Sequence, residues 1–149
     1  MKYLRYLAVL AMALVMSGQL FAGQTTVTIG TINNNDMIIM QELSREFEKQ
    51  NPDIKLSWVI LEENTLRQRI TTDISTNSGQ FDIMTIGLME APMWGERGWL
   101  APLKNFPAEY QYEDLIDSVR NGLSHDGVQY ALPFYAESQM LFYRTDLFE

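Results

Sequence analysis

Ile54-Lys55-Leu56-Ser57-Trp58-Val59-Ile60-Leu61-Glu62-Glu63-Asn64-Thr65-Leu66-Arg67-Gln68-Arg69-Ile70-Thr71-Thr72-Asp73-Ile74 carries two hydrophobic periods in succession, and the switch between them decides the fold. Ile54, Leu56, Trp58 and Ile60 alternate with Lys55, Ser57, Val59 and Leu61, which suits a strand with one face more buried than the other. From Leu66 the apolar residues fall four apart, at Ile70 and Ile74, so the chain turns helical until Asn77-Ser78-Gly79 closes the element.

Upstream the same order occurs once before. Val27 to Thr31 is β-branched and short and reads as a strand, and Asn33-Asn34-Asn35-Asp36 follows as a loop and helix start. Met37, Met40, Leu43 and Phe47 then recur at spacings of three and four, which predicts them as the buried face of a helix that ends at Asn51-Pro52. Downstream, Phe81-Asp82-Ile83-Met84-Thr85-Ile86 reads as a third strand, and Gly87 to Glu90 turns into a short helix begun by Ala91-Pro92. This βαβαβα order predicts an α/β fold: a mainly parallel sheet with helices on both faces, joined by right-handed crossovers.

Beyond it, Pro102 and Pro107 bracket an irregular stretch. Leu115, Ile116, Val119 and Leu123 predict the apolar face of a further helix, and Asp126-Gly127 marks a tight turn. The closing run, Val128 to Phe148, reads as a strand, an aromatic and acidic corner from Phe134 to Gln139, and a second strand, with Thr145-Asp146 as a helix cap. No repeat, low-complexity tract or linker divides the chain.

The first residues have the layout of a secretory signal peptide: Lys2 and Arg5, an apolar run from Tyr6 to Met16, then Ser17 to Gly23 with cleavage expected after Ala22. At about 1.5 Å per residue the apolar run reaches only ~16 Å, short of the ~30 Å hydrocarbon core that an anchor must cross. There is no cysteine, so neither a disulfide nor a lipid-modified cysteine is available. Losing Lys2 and Arg5 leaves 9 basic against 19 acidic side chains, and the formal charge moves from −8 to −10. So acidic a surface argues against a nucleic-acid partner and says little about neutral ligands.

In open α/β sheets ligands sit beyond the carboxyl ends of the strands. That rule nominates the loops Asn33 to Asp36, Glu62 to Asn64 and Gly87 to Trp94, and the corner at Phe134 to Gln139 adds aromatic and acidic groups. Carboxylates accept from neighbouring hydroxyls, amides donate and accept, and aromatic rings cover C–H faces, so these side chains suit a polyhydroxylated ligand. Each also has a structural alternative: Asn34 and Asn35 as helix caps, Glu63 as a first-turn acid, Trp94 as core. The lone histidine, His125, sits in the Asp126-Gly127 turn and suits a solvated turn better than a catalytic triad. The enzymatic alternative is a secreted carbohydrate hydrolase using Glu90 and Glu137 as a carboxylate pair. Metal-ligand spacing, a phosphate-binding glycine loop and a dinucleotide fingerprint are absent from the sequence.

From Val27 onward the chain resembles the family 1 extracellular solute-binding proteins of ABC importers. The resemblance is carried by Phe81 to Gly87 followed by Trp94-Gly95-Glu96-Arg97-Gly98-Trp99-Leu100-Ala101-Pro102-Leu103, and by Asp126-Gly127-Val128-Gln129-Tyr130-Ala131-Leu132-Pro133-Phe134. Within that group, Leu61-Glu62-Glu63-Asn64, Arg67-Gln68-Arg69 and Pro133-Phe134-Tyr135-Ala136-Glu137-Ser138 look most similar to receptors for sugar alcohols such as sorbitol and mannitol. The resemblance implies a monomeric two-lobed receptor that closes on a polyol or sugar in the periplasm and delivers it to a membrane permease, without catalysis, cofactor or bound metal. It places ligand contacts at Asn34, Asn35, Glu63, Glu90, Trp94, Tyr135 and Glu137. Asp36 and Glu62 carry two readings, ligand contact or helix cap. Because the family runs to several hundred residues, residues 23–149 are expected to form a first lobe that is incomplete at its C-terminus and leaves apolar surface uncovered.

Overall fold

A computed structural model describes residues 23–137 and 140–148; the expected signal peptide, residues 1–22, lies outside them. Two compact units divide the chain after Thr85.

In the first unit, β1 (Thr25–Ile32) is the central strand. It pairs in parallel along its whole length with β2 (Ile54–Leu61), from Thr25 opposite Ile54 to Ile32 opposite Leu61. On its other side β3 (Ile83–Met84) pairs in parallel opposite Ile29 and Gly30, giving the order β2-β1-β3. The ladder is longer than β3 itself, since Asp82 N–H donates to Thr28 O and Thr85 N–H to Gly30 O. The connections are α1 (Asn35–Gln50) and α2 (Glu63–Thr76). One crossover steps outward from β1 and the other back past it, so right-handed crossovers put the two helices on opposite faces. The α/β order and the parallel sheet are as the periodicities predict.

Helix α2 buries Leu66 and Ile70, each 2% exposed, together with Asp73. The Asp73 carboxylate accepts from Ser78 Oγ and from the backbone N–H groups of Gln80 (2.7 Å) and Phe81 (3.1 Å). Burial alone pushes this carboxyl up, but the bonds from Ser78, Gln80, Phe81 and Gly79 outweigh it and hold the group below its ordinary value. The acid thereby ties the end of α2 to the start of β3. Phe81 then packs on the backbone of β1 at Gly30, where a Cβ atom would stand 2.8 Å from its ring.

Helix α1 departs from its predicted face. Met37 is buried and Met40 half-buried, but Leu43 is 63% and Phe47 43% exposed. The covered face continues instead through Gln41, Ser44 and Glu48. Gln41 and Ser44 can face inward because each donates to a carbonyl of its own helix, Met37 O and Gln41 O. Glu48 accepts the outward N–H of Leu56 at 2.7 Å and pairs with Lys55, which covers part of the open edge of β2. Its carboxyl is held below the usual range first by the Leu56 amide and then by Lys55. Among the described residues, Trp58 Nε1 is a buried donor without a hydrogen-bond partner.

The second unit is built from shorter pieces: α3 (Glu90–Glu96), two 3-10 turns (Ala108–Tyr110 and Tyr112–Asp114), α4 (Asp117–Gly122), and the antiparallel pair β4 (Ser124–His125) and β5 (Val128–Gln129). Asp126 and Gly127 both have positive φ, 49° and 75°, as the tight turn between those strands requires. Gln129 is the hub. It is buried, its Oε1 accepts from Tyr112 Oη at 2.8 Å, its Nε2 donates to Ala131 O and Leu123 O, and its carbonyl accepts from Leu103 N–H. Ala91, Trp94 and Leu123 are buried, and the Tyr130 ring lies against Gly95.

Several expectations fail in this unit: the strand read from Val128 onward stops at Gln129, and Leu115, like Ile116, lies ahead of α4. Ile116 precedes α4 and is 66% exposed, because the helix starts only at Asp117 and Leu123 takes the buried place. The described residues of the predicted closing strand, Met140 to Tyr143, form no strand and are exposed, with no ladder partner among the described residues. Thr145–Leu147 is a single 3-10 turn.

Candidate functional site

The loops after β1 and β2 are brought together by the sheet. Ile32 lies opposite Leu61, and Asn33 N–H donates to Leu61 O at 3.0 Å, so both segments leave the same end of the sheet as neighbours. Asn34 has extended backbone and caps α1, its Oδ1 accepting from Met37 N–H at 2.9 Å. Asn35 opens that helix and is exposed, as is Asp36 in the first turn.

Glu62 caps α2. Its carboxylate accepts from Thr65 N–H at 3.2 Å and from Asn64 Nδ2, and the backbone amides of Asn64 and Thr65 hold it below the usual range. Of its two readings, capping is the one the geometry supplies. Glu63 stands one residue on, exposed, and pairs with Arg67 across one helical turn at 2.8 Å. Such an exposed pair contributes little to stability and leaves its members able to exchange partners.

In the second unit, Glu90 and Trp94 share α3 one turn apart. Glu90 is half-buried, and its Oε2 accepts from Gly87 N–H at 3.0 Å while Gly87 O accepts from Ala91 N–H. The carboxylate thus reaches back over Met89, which precedes the helix, to the Gly87 amide. Trp94 is 3% exposed and is core of this unit. Tyr135 and Glu137 lie on one extended segment and are both exposed, with the Tyr135 ring edge-on to Phe134 at 5.4 Å.

Two hollows occur elsewhere: one of about 260 Å³ beside Gln68, Arg69, Thr72 and Gln80, and one of about 480 Å³ along Phe106 to Asp114. None of the seven expected contact residues lines either. Among the described residues no cluster of three acidic or imidazole groups could hold a metal ion.

In the first unit the geometry is that of polar side chains on helix starts at the carboxyl ends of parallel strands. Residues 33–149 match the family described as bacterial extracellular solute-binding protein. The chain belongs to that family. Among the family's binding proteins, a mannitol-binding protein of Pseudomonas aeruginosa is 57% identical over 142 residues, covering 95% of this chain and 33% of that protein. An ABC transporter solute-binding protein of Agrobacterium vitis, crystallised with bound D-mannitol, superposes with a TM-score of 0.72 and 55% identity, covering 83% of this chain and 30% of its own. The GacH receptor of Streptomyces glaucescens, solved unliganded and with acarbose, gives a TM-score of 0.63 and 27% identity over 72% of this chain and 28% of its own. The chain thus spans about a third of the length of the curated relatives it matches. This is a family of solute binders, which removes the hydrolase reading of Glu90 and Glu137.

The cap reading of Glu62 is one the sequence offers; the bond from the Gly87 amide to Glu90 is one that sequence reasoning missed.

Proposed function

We propose that residues 23–149 form the first lobe of the substrate-binding component of an ABC importer, which captures a polyol in the periplasm and passes it to a membrane permease. Residues 1–22 are its export signal, and the receptor acts as a monomer. D-mannitol is the ligand of first choice. The observation that carries this reading is the 55% identity, over 83% of the chain, with a receptor that holds D-mannitol in its crystal. The proposed contacts are Asn34, Asn35 and Glu63 from the first unit and Glu90, Tyr135 and Glu137 from the second. Trp94 serves them from within, as the packed base of α3.

The chemistry is consistent with that ligand. Carboxylates accept from adjacent hydroxyls, amides do both, and Tyr135 supplies an apolar face with a polar tip. Half of such a site binds poorly, because it loses contacts and the closure that excludes water. A thermal-shift series on a full-length receptor carrying this chain tests the reading, since a ligand that binds only the folded state raises the melting temperature. D-mannitol or sorbitol should raise it, and residues 23–149 alone should respond weakly or not at all. No shift with any polyol or simple sugar would refute the ligand class, and micromolar binding by residues 23–149 would refute the half-site account.

A further inference from the structure

We infer that Gly87 is a positioning residue for the Glu90 carboxylate and thereby sets how that acid meets a polyol; this rests on the ligand reading proposed above. The close approach of one carboxylate oxygen to the Gly87 backbone points to it. The Gly87 N–H donates to Glu90 Oε2 at 3.0 Å, and a Cβ atom at residue 87 would stand 2.6 Å from that same oxygen. Any residue except proline supplies the N–H, but only glycine leaves room for the carboxylate to reach it.

The side-chain-free position is therefore not a requirement of the backbone. Positive φ among the described glycines is confined to Gly79, Gly98 and Gly127, so alanine fits the backbone at residue 87. The atom that alanine would meet is the tip of a flexible side chain, and the cheapest response is for the carboxylate to swing away. Gly95 makes the contrast: there a Cβ would strike the ring of half-buried Tyr130, a rigid planar group and not the tip of a flexible chain. Gly87→Ala thus moves one functional group and spares the fold. For a polyol, whose hydroxyls need acceptors at fixed spacing, an acid swung off its anchor is an acid mispositioned.

The test uses the full-length receptor, with D-mannitol titrated calorimetrically and melting recorded for each variant. Gly87→Ala and Glu90→Gln should each weaken binding by about 10- to 100-fold, the scale of one charge-assisted hydrogen bond. The double variant should bind no more weakly than Glu90→Gln alone, and the Gly87→Ala melting temperature should stay near that of the unsubstituted receptor. Normal binding by Gly87→Ala beside weak binding by Glu90→Gln overturns the inference and leaves the polyol reading standing. Normal binding by Glu90→Gln removes Glu90 as a contact, and the inference with it; additive losses in the double variant show Gly87 acting by another route and also overturn it. Should Gly87→Ala melt early, Glu90→Asp keeps the glycine and the charge but draws the carboxylate back by one methylene, and normal binding there is equally fatal. A crystal structure of Gly87→Ala reads the positioning without ligand: the carboxylate should leave the residue 87 amide, and an unmoved carboxylate contradicts the proposal.

Discussion

The two units satisfy their backbones in opposite ways. In the first, eight residues of β1 pair with eight of β2, and the ladder closes with little dependence on which side chains it carries. In the second, β4 and β5 have two residues each, and a single buried side chain, Gln129, links Tyr112, Leu123 and Ala131 while its backbone holds Leu103. Regular pairing spreads the work over many residues, whereas irregular structure concentrates it on a few. The first unit should therefore fail through its apolar packing and the second through one polar group.

The largest expected effect is in the packed helix of the first unit. Leu66→Ala opens a cavity beneath α2 and should cost about 2–5 kcal/mol in urea unfolding. A loss well under 1 kcal/mol would show that the sheet does not depend on that contact. Gln129→Ala is next, at roughly 1–3 kcal/mol, because it strands the partners of a buried hub. Hydrogen exchange at the Leu103 and Tyr130 amides should rise with it, and unchanged protection would mean the hub is dispensable.

The acid response ranks third. Asp73 has its folded value depressed below the ordinary 3.8, so its contribution is fully present above that pH and is lost as pH falls through the folded value. Stability of the first unit should accordingly be insensitive to this group at neutral pH and decline in acid below about pH 4, and Asp73→Asn should flatten that decline. An unaltered acid limb in the variant would assign the effect to other carboxylates. Smallest is Leu43→Ala on α1. Since Leu43 is 63% exposed, residues 23–149 should change by less than about 0.5 kcal/mol, where a buried leucine would cost several times more.

That last contrast shows what could be read from the sequence. Strand β2 was legible as a strand but not in its covered face, since Ile60 is exposed while Ser57, Val59 and Leu61 are half-buried. Helix α2 was legible because the four-residue spacing at Leu66, Ile70 and Ile74 allows one reading. Helix α1 allowed two. Ile39, Leu43 and Phe47 form an apolar stripe as convincing as Met37 and Met40, and Gln41 and Ser44 conceal the true inner face by bonding to their own helix. Which stripe is covered depends on what packs there, and periodicity does not record that. The strand predicted at Met140 to Tyr143 failed for a related reason, since a strand needs a partner as well as a pattern.

The proposed contacts divide in the same way. Asn34, Asn35 and Glu63 follow from the topology of a parallel sheet, since the ends of β1 and β2 must carry them. Whether an acid at a helix start is offered to a ligand or used as a cap depends on which way its side chain turns. Glu62 is turned onto Thr65, Glu63 toward Arg67 and Glu90 onto Gly87, and sequence spacing alone does not separate those cases.

Calorimetric titration of D-mannitol into a full-length receptor carrying this chain decides the matter most directly. A saturable one-to-one heat of binding, shared in weaker form by sorbitol and absent from residues 23–149 alone, is the predicted result. No heat with mannitol, sorbitol or any simple sugar would contradict it.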